Sequence, residues 1–309
     1  MKPTRETRVL LTTAAALALA ATTQGKIRTQ SLSYQDGQTL LVGFVAYDDS
    51  VKGKRPGVLV FHERWGLDDY ARTCARHMAS LGYVALAGDL HGGGWQAKTP
   101  DEAERLAARL RGDRALMRSR GRVALRQIKA HKLVDDEKVA AIGFGLGGTA
   151  ALELARSGAD LRAAVSFHGR LIAPKPDEAG PIRAKVLLLH GGADGRIFAP
   201  EAAAFRNEMR AAGADWQMIT YGAAAGAFSD PNSAAYNDRA ARRAWTATEL
   251  FLAETIGLPK PDGDARGGIG RFFKDKVGKP IGTAGKATGK AVKKAATWTW
   301  EKLKGEERD

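Results

Sequence analysis

The sequence predicts an α/β protein built on a mostly parallel central sheet with helices on both faces. Three observations carry the prediction. Short unbroken apolar runs, such as residues 57–61 (GVLVF) and 139–142 (VAAI), have the composition of strands buried on both sides. Amphipathic stretches of helical length separate them, so strands and helices alternate along the chain. One run also passes through a glycine-dense turn into a helical pattern, over residues 139–156 (VAAIGFGLGGTAALELAR). A chain of 309 residues is long enough for one full core with appendages.

Taken in order, residues 27–34 and 40–47 alternate apolar and polar and read as an antiparallel pair joined by a turn through Asp36 and Gly37. Residues 57–61 follow as a buried strand ending in His62 and Glu63, 68–81 as a helix, and 83–87 as a strand closing at Asp89. One long charged helical stretch is expected over 100–131, with Arg114 on its solvent side. Strands are then expected at 163–167, 186–190 and 216–221, with helices through 202–212 and near 240–254. Ligands of such sheets sit at the carboxyl ends of the strands. Those ends carry His62, Glu63, Asp89, Gly145, His168, Asp194 and Gly226.

The stretch 139–156 has the layout of a nucleophile elbow, in which a tight turn lifts one side chain above the sheet edge. The helix behind such a turn offers unpaired N–H groups to a developing negative charge. The raised position here is Gly145, which has no side chain. Gly143, Gly145 and Gly148 also satisfy G-x-G-x-x-G, but the next strand ends at His168 without the carboxylate that dinucleotide binding requires. The single cysteine, Cys74, excludes an internal disulfide and lies in a helical pattern. No group of His, Cys, Asp or Glu has metal-ligand spacing, and no metal or cofactor is expected.

The segments GVLVFHERWGLDDYAR (57–72), GYVALAGDLHG (82–92), VAAIGFGLGG (139–148), SFHG (166–169), VLLLHGGAD (186–194) and YGAAAGAF (221–228) occur in an order that resembles the dienelactone hydrolase family of the α/β-hydrolase fold. The resemblance implies an α/β-hydrolase architecture over residues 26–257. It also implies a cysteine–histidine–aspartate chemistry that has lost parts. The family's cysteine nucleophile matches Gly145, its histidine matches Gly226, its acid matches Asp194, and the glutamate thought to hold the resting thiol matches Glu63. Covalent acyl transfer needs an attacking atom and a base to take its proton, and two glycines supply neither. Ser166 and His168 belong to the SFHG segment that the family shares beside its own cysteine. Ser229, three residues after Gly226, would need a shifted loop and has no base in view.

The resemblance therefore leads to a non-hydrolytic relative that uses the old cleft to bind an unknown small molecule or acts as a scaffold. The candidate binding residues are Glu63, Arg64, Trp65, Leu146 and Asp194. With two side chains missing and two carboxylates kept, the cleft suits a cationic or hydrogen-bond-donating ligand. The competing expectation is an active carboxylic-ester or lactone hydrolase with a relocated nucleophile.

Both ends extend beyond this core. Lys2, Arg5 and Arg8 precede an apolar run over 9–21, so residues 1–25 read as an export signal and the chain as periplasmic or extracellular. Residues 258–309 begin as a Pro/Gly linker and continue as a Gly/Ala/Lys-rich extension. Its last 44 residues hold 12 Lys and Arg against 5 Asp and Glu, half of the net charge of +14. Basic charge beside Phe272, Phe273, Trp298 and Trp300 suits an anionic surface, a membrane or cell wall. Nucleic acid is the least favoured partner for an exported chain.

Overall fold

The computed structural model describes residues 27–172, 180–195 and 199–258. The expected export signal and basic extension lie outside the described residues. No helix among the described residues is long and apolar enough to cross a membrane.

Among the described residues, eight strands form one sheet: β1 (Ile27–Asp36), β2 (Thr39–Asp48), β3 (Arg55–Phe61), β4 (Val84–Gly88), β5 (Val134–Phe144), β6 (Ala163–Phe167), β7 (Lys185–Gly191) and β8 (Trp216–Tyr221). Their order across the sheet is β1-β2-β4-β3-β5-β6-β7-β8. The β1–β2 hairpin and the β2–β4 pair are antiparallel, and every pairing from β4 onward is parallel. The central strands are buried along their length, as unbroken apolar runs require. Among the described residues, six helices cover the sheet: α1 (Asp69–Ser80), α2 (Pro100–Gly112), α3 (Arg114–Lys129), α4 (Leu146–Arg156), α5 (Ala199–Ala211) and α6 (Asp238–Ile256).

The two-residue period of the strands divides the core in two. Val58 and Val60 of β3 face α1 and α6, where Met78, Trp245 and Leu252 pack. Leu59 and Phe61 face the opposite side, against Leu125 and Ile128 of α3 and Leu154 of α4. α5 joins the α4 side through Phe205 and Met209 on Val186 and Leu188. Cys74 is fully buried in α1.

The long helix expected over 100–131 is two helices. Asp113 leaves helical geometry at φ −126° and ψ 88°, ends α2, and accepts the Leu116 N–H at 2.8 Å as the cap of α3. Arg114 is only partly exposed. It pairs with Glu153 of α4, as do Arg118 at 3.0 Å and Arg156 at 2.9 Å. Glu153 is buried, so this cluster of opposite charges ties α3 to α4 and was not visible in the spacing of α3 alone.

Candidate active-site cleft

The carboxyl ends of β3, β5 and β6 meet the loop between β8 and α6 around a cavity of about 610 Å³. β5 runs through Phe144 into Gly145, and α4 begins at the next residue. Gly145 has φ 51° and ψ −108°, a left-handed conformation that a side chain makes costly. Two residues on, Gly147 lets the start of α4 lie directly on the end of β3. A Cβ there would fall 2.5 Å from the carbonyl oxygen of His62.

Glu63 reaches the elbow from the end of β3. A Cβ built on Gly145 would lie 2.8 Å from both Cγ and Cδ of Glu63, and nearer still to Oε1. The Glu63 side chain thus occupies the volume next to the turn. His62 fixes the backbone beneath it: its Nε2 accepts the Leu90 N–H at 3.0 Å, and its Nδ1–H donates to the Glu63 carbonyl at 2.6 Å. Burial, with the neighbouring His91, pushes the His62 imidazole down to about 4, so it is neutral in this role. Arg64 leans over the Trp65 ring at 5.5 Å and lies 3.7 Å from Glu63 and 3.9 Å from Glu104.

His168, at the end of β6, is buried with φ 42°. Its Nδ1 accepts the Gly145 N–H at 3.1 Å, and its Nε2 lies 2.9 Å from Ser229 Oγ. The Tyr70 hydroxyl donates to the Ser229 carbonyl at 2.9 Å and lies 3.1 Å from Oγ. Ser229 therefore has an imidazole beside it, contrary to the expectation from its isolated position in the sequence. The Gly145 N–H is shared between the Phe167 carbonyl at 2.9 Å and Nδ1; in the tautomer that lets Nδ1 accept it, Nε2 carries the ring proton and donates to Ser229. A base for that hydroxyl would need the opposite tautomer. The pair is arranged as a structural hydrogen bond.

Glu63, Arg64, Trp65 and Gly226 line the cavity, together with His168 and Ala227. Leu146 does not; it is buried among Ala150, Leu154 and Met117 on the α3–α4 side of the sheet. Asp194 is buried in the turn after β7 and is also not part of the lining. That turn is joined to the β8 loop by bonds from Gly192 N–H to Tyr221 and from Ala193 N–H to Ala224, at 2.8 and 2.9 Å. The turn of Asp194 and the loop of Gly226 are thus brought side by side.

Two cavity carboxylates were not singled out from the sequence. Asp68 caps α1, accepting the Ala71 N–H at 3.0 Å, and Asp230 follows Ser229. Burial, with the charges of Asp230 and Glu63 nearby, pushes the Asp68 carboxyl up to about 6. Burial also raises Asp230, against the pull of Asn232. Asp68 stood in the sequence only as the first residue of the helix expected over 68–81, and nothing in the local sequence places Asp230 near it. Among the described residues, no group of three or more His, Cys, Asp or Glu is arranged to hold a metal ion.

A mostly parallel sheet, a strand–turn–helix elbow and a cleft at the strand ends define an α/β-hydrolase-type protein. The family model for the dienelactone hydrolase family matches residues 41–256, and the chain belongs to that family. A putative carboxymethylenebutenolidase of Yersinia pestis is 30% identical over 216 residues, covering 66% of this chain and 80% of the relative. An uncharacterized protein of Caenorhabditis elegans is 36% identical over 152 residues, covering 45% of this chain and 94% of its own. Among solved structures, a dienelactone hydrolase-like promiscuous phosphotriesterase from metagenomic libraries is 39% identical with a TM-score of 0.73, over 75% of this chain and all (100%) of its own.

Proposed function

We propose that this protein is a non-hydrolytic member of the dienelactone hydrolase family that binds a small molecule in the cleft its relatives use for chemistry. The observation that carries the reading is the elbow itself. Gly145 stands at the raised position of the turn and offers no attacking atom, while Gly226 in the facing loop offers no imidazole. Loss of the nucleophile and base of a triad leaves only what binding and the oxyanion site provide, several orders of magnitude less rate. In the same reading Asp194 and Glu63 are the retained parts of the triad and its thiol-holding glutamate. Residues 26–257 form the binding domain, residues 1–25 direct export, and the basic extension from 258 to 309 tethers the domain to an anionic surface.

The test is ester and dienelactone turnover by the native chain beside Gly145→Cys with Gly226→His. Turnover by the replacement alone supports the reading. Comparable turnover by the native chain removes it.

A second reading, an active hydrolase with a relocated nucleophile, is favoured by one observation, the 2.9 Å approach of His168 to Ser229. It requires the imidazole to release its bond from the Gly145 N–H and change tautomer. Native turnover abolished by Ser229→Ala would establish it.

A further inference from the structure

The cavity contains an unbalanced set of charges. Its carboxylates are Glu63, Asp68 and Asp230, and its only cation among the lining residues is Arg64. Arg64 is already engaged by Trp65, Glu63 and Glu104. Asp68 and Asp230 accept backbone N–H groups from Ala71 and Asn232, but neither has a Lys, Arg or His within ion-pair distance among the described residues. Removing two carboxylates from bulk water without a counter-charge is unfavourable, and a cation entering between them relieves both the burial and their mutual repulsion. The rest of the lining is not a metal cage. Half-buried Trp65 stands at the wall, with Phe144 and Tyr70 buried beneath, and the volume of about 610 Å³ is far larger than a bare ion needs.

We infer that this cavity takes an organic cation, an amine or quaternary ammonium on an apolar body, with its charge between Asp68 and Asp230 and its body against Trp65. Aromatic faces attract such cations through the ring quadrupole, most strongly where water is partly excluded. The uncompensated carboxylates repel an anionic ligand such as a lactone carboxylate. The inference rests on the reading of the cleft as a binding site and names the class of ligand.

Calorimetric titration of the full chain with benzyltrimethylammonium, benzyl alcohol and benzoate at neutral pH and low salt tests it. Benzyltrimethylammonium is expected to bind at least about tenfold more tightly than the neutral alcohol, with benzoate weakest. Asp68→Asn and Asp230→Asn are each expected to weaken the ammonium about fivefold or more without affecting the alcohol. Asparagine keeps the cap acceptor at position 68, and a melting curve on each variant verifies folding. Equal affinity for the three probes, preference for benzoate, no heat with the ammonium, or unchanged affinity in both variants overturns the inference. Benzoate or alcohol binding that Trp65→Ala abolishes would leave the cleft a binding site while removing the cation. Hydrolysis of esters by the native chain would remove the non-hydrolytic reading and leave the titration result standing.

Discussion

Glu63 and Gly145 share one volume: the glutamate's Cγ and Cδ lie 2.8 Å from where a Cβ of residue 145 would stand. The elbow at this turn accommodates glycine in two ways, through its left-handed φ of 51° and through the carboxylate beside it. A side chain introduced at position 145 must bear the backbone strain and displace Glu63.

Gly145→Ala is accordingly expected to lower stability by about 1–3 kcal/mol, chiefly from backbone strain. The steric part belongs to Glu63. Adding Glu63→Ala should recover about 0.5–1 kcal/mol of the loss as a coupling energy. Urea unfolding of the two single variants and the double variant closes the cycle, and strict additivity would show that Glu63 does not occupy the space.

Asp68 and His62 should impose opposite slopes on stability against pH. The Asp68 carboxyl rises from 3.8 to about 6 on folding, so the folded state holds its proton more tightly. Its contribution is favourable at low pH and is lost as pH rises through about 6. His62 falls from 6.5 to about 4, so its contribution is present above pH 6.5 and lost as pH falls toward 4. Asp68→Asn removes only the first of these. It should leave stability at pH 4 nearly unchanged and raise it at pH 7.5 by about 1–3 kcal/mol. Denaturant melts at the two pH values decide the sign.

Ser229→Ala tests the buried hydrogen-bond network of His168, Ser229 and Tyr70. Losing an acceptor for the His168 Nε2–H should cost about 1–3 kcal/mol of stability. Ester turnover, measured in parallel, should stay at the native level; a variant that folds normally and loses turnover would contradict the structural role.

Buried Glu153 receives Arg114 and Arg118 of α3 and Arg156, the last of which is also held by Glu208 of α5 at 2.6 Å. Glu153→Ala leaves Arg156 its Glu208 partner but takes the carboxylate from Arg114 and Arg118, and should destabilise the protein by about 2–4 kcal/mol. Glu153→Gln, which keeps two polar atoms, should lose less. Thermal melting at neutral pH ranks the two.

The strands were legible because each central one is buried on both faces and so carries an unbroken apolar run. The β8 strand coincides with the expected 216–221, and β6 with 163–167. The break at Asp113 was not, because residues on either side continue the helical period and only the capping bond to Leu116 marks the new start. In the cleft, Glu63, Arg64, Trp65 and Gly226 could be named from the chain because they sit at strand ends or in family-like segments. Leu146 looked equivalent but points into the α3–α4 core, since the first residue of a helix can face either the ligand side or the sheet.

By itself the sequence determined the order of strands and helices, apart from the break at Asp113, together with the glycine at the elbow and the positions that fall at the carboxyl ends of the sheet. These follow from local periodicity and from backbone demands that single residues reveal. Only the tertiary structure decided that Glu63 fills the space beside Gly145 and that His168 meets Ser229 across a separation of 61 residues. The pairing of Asp68 with Asp230 in one cavity was decided there too. Burial, tautomer and uncompensated charge depend on which distant segments pack together, and no local pattern encodes that.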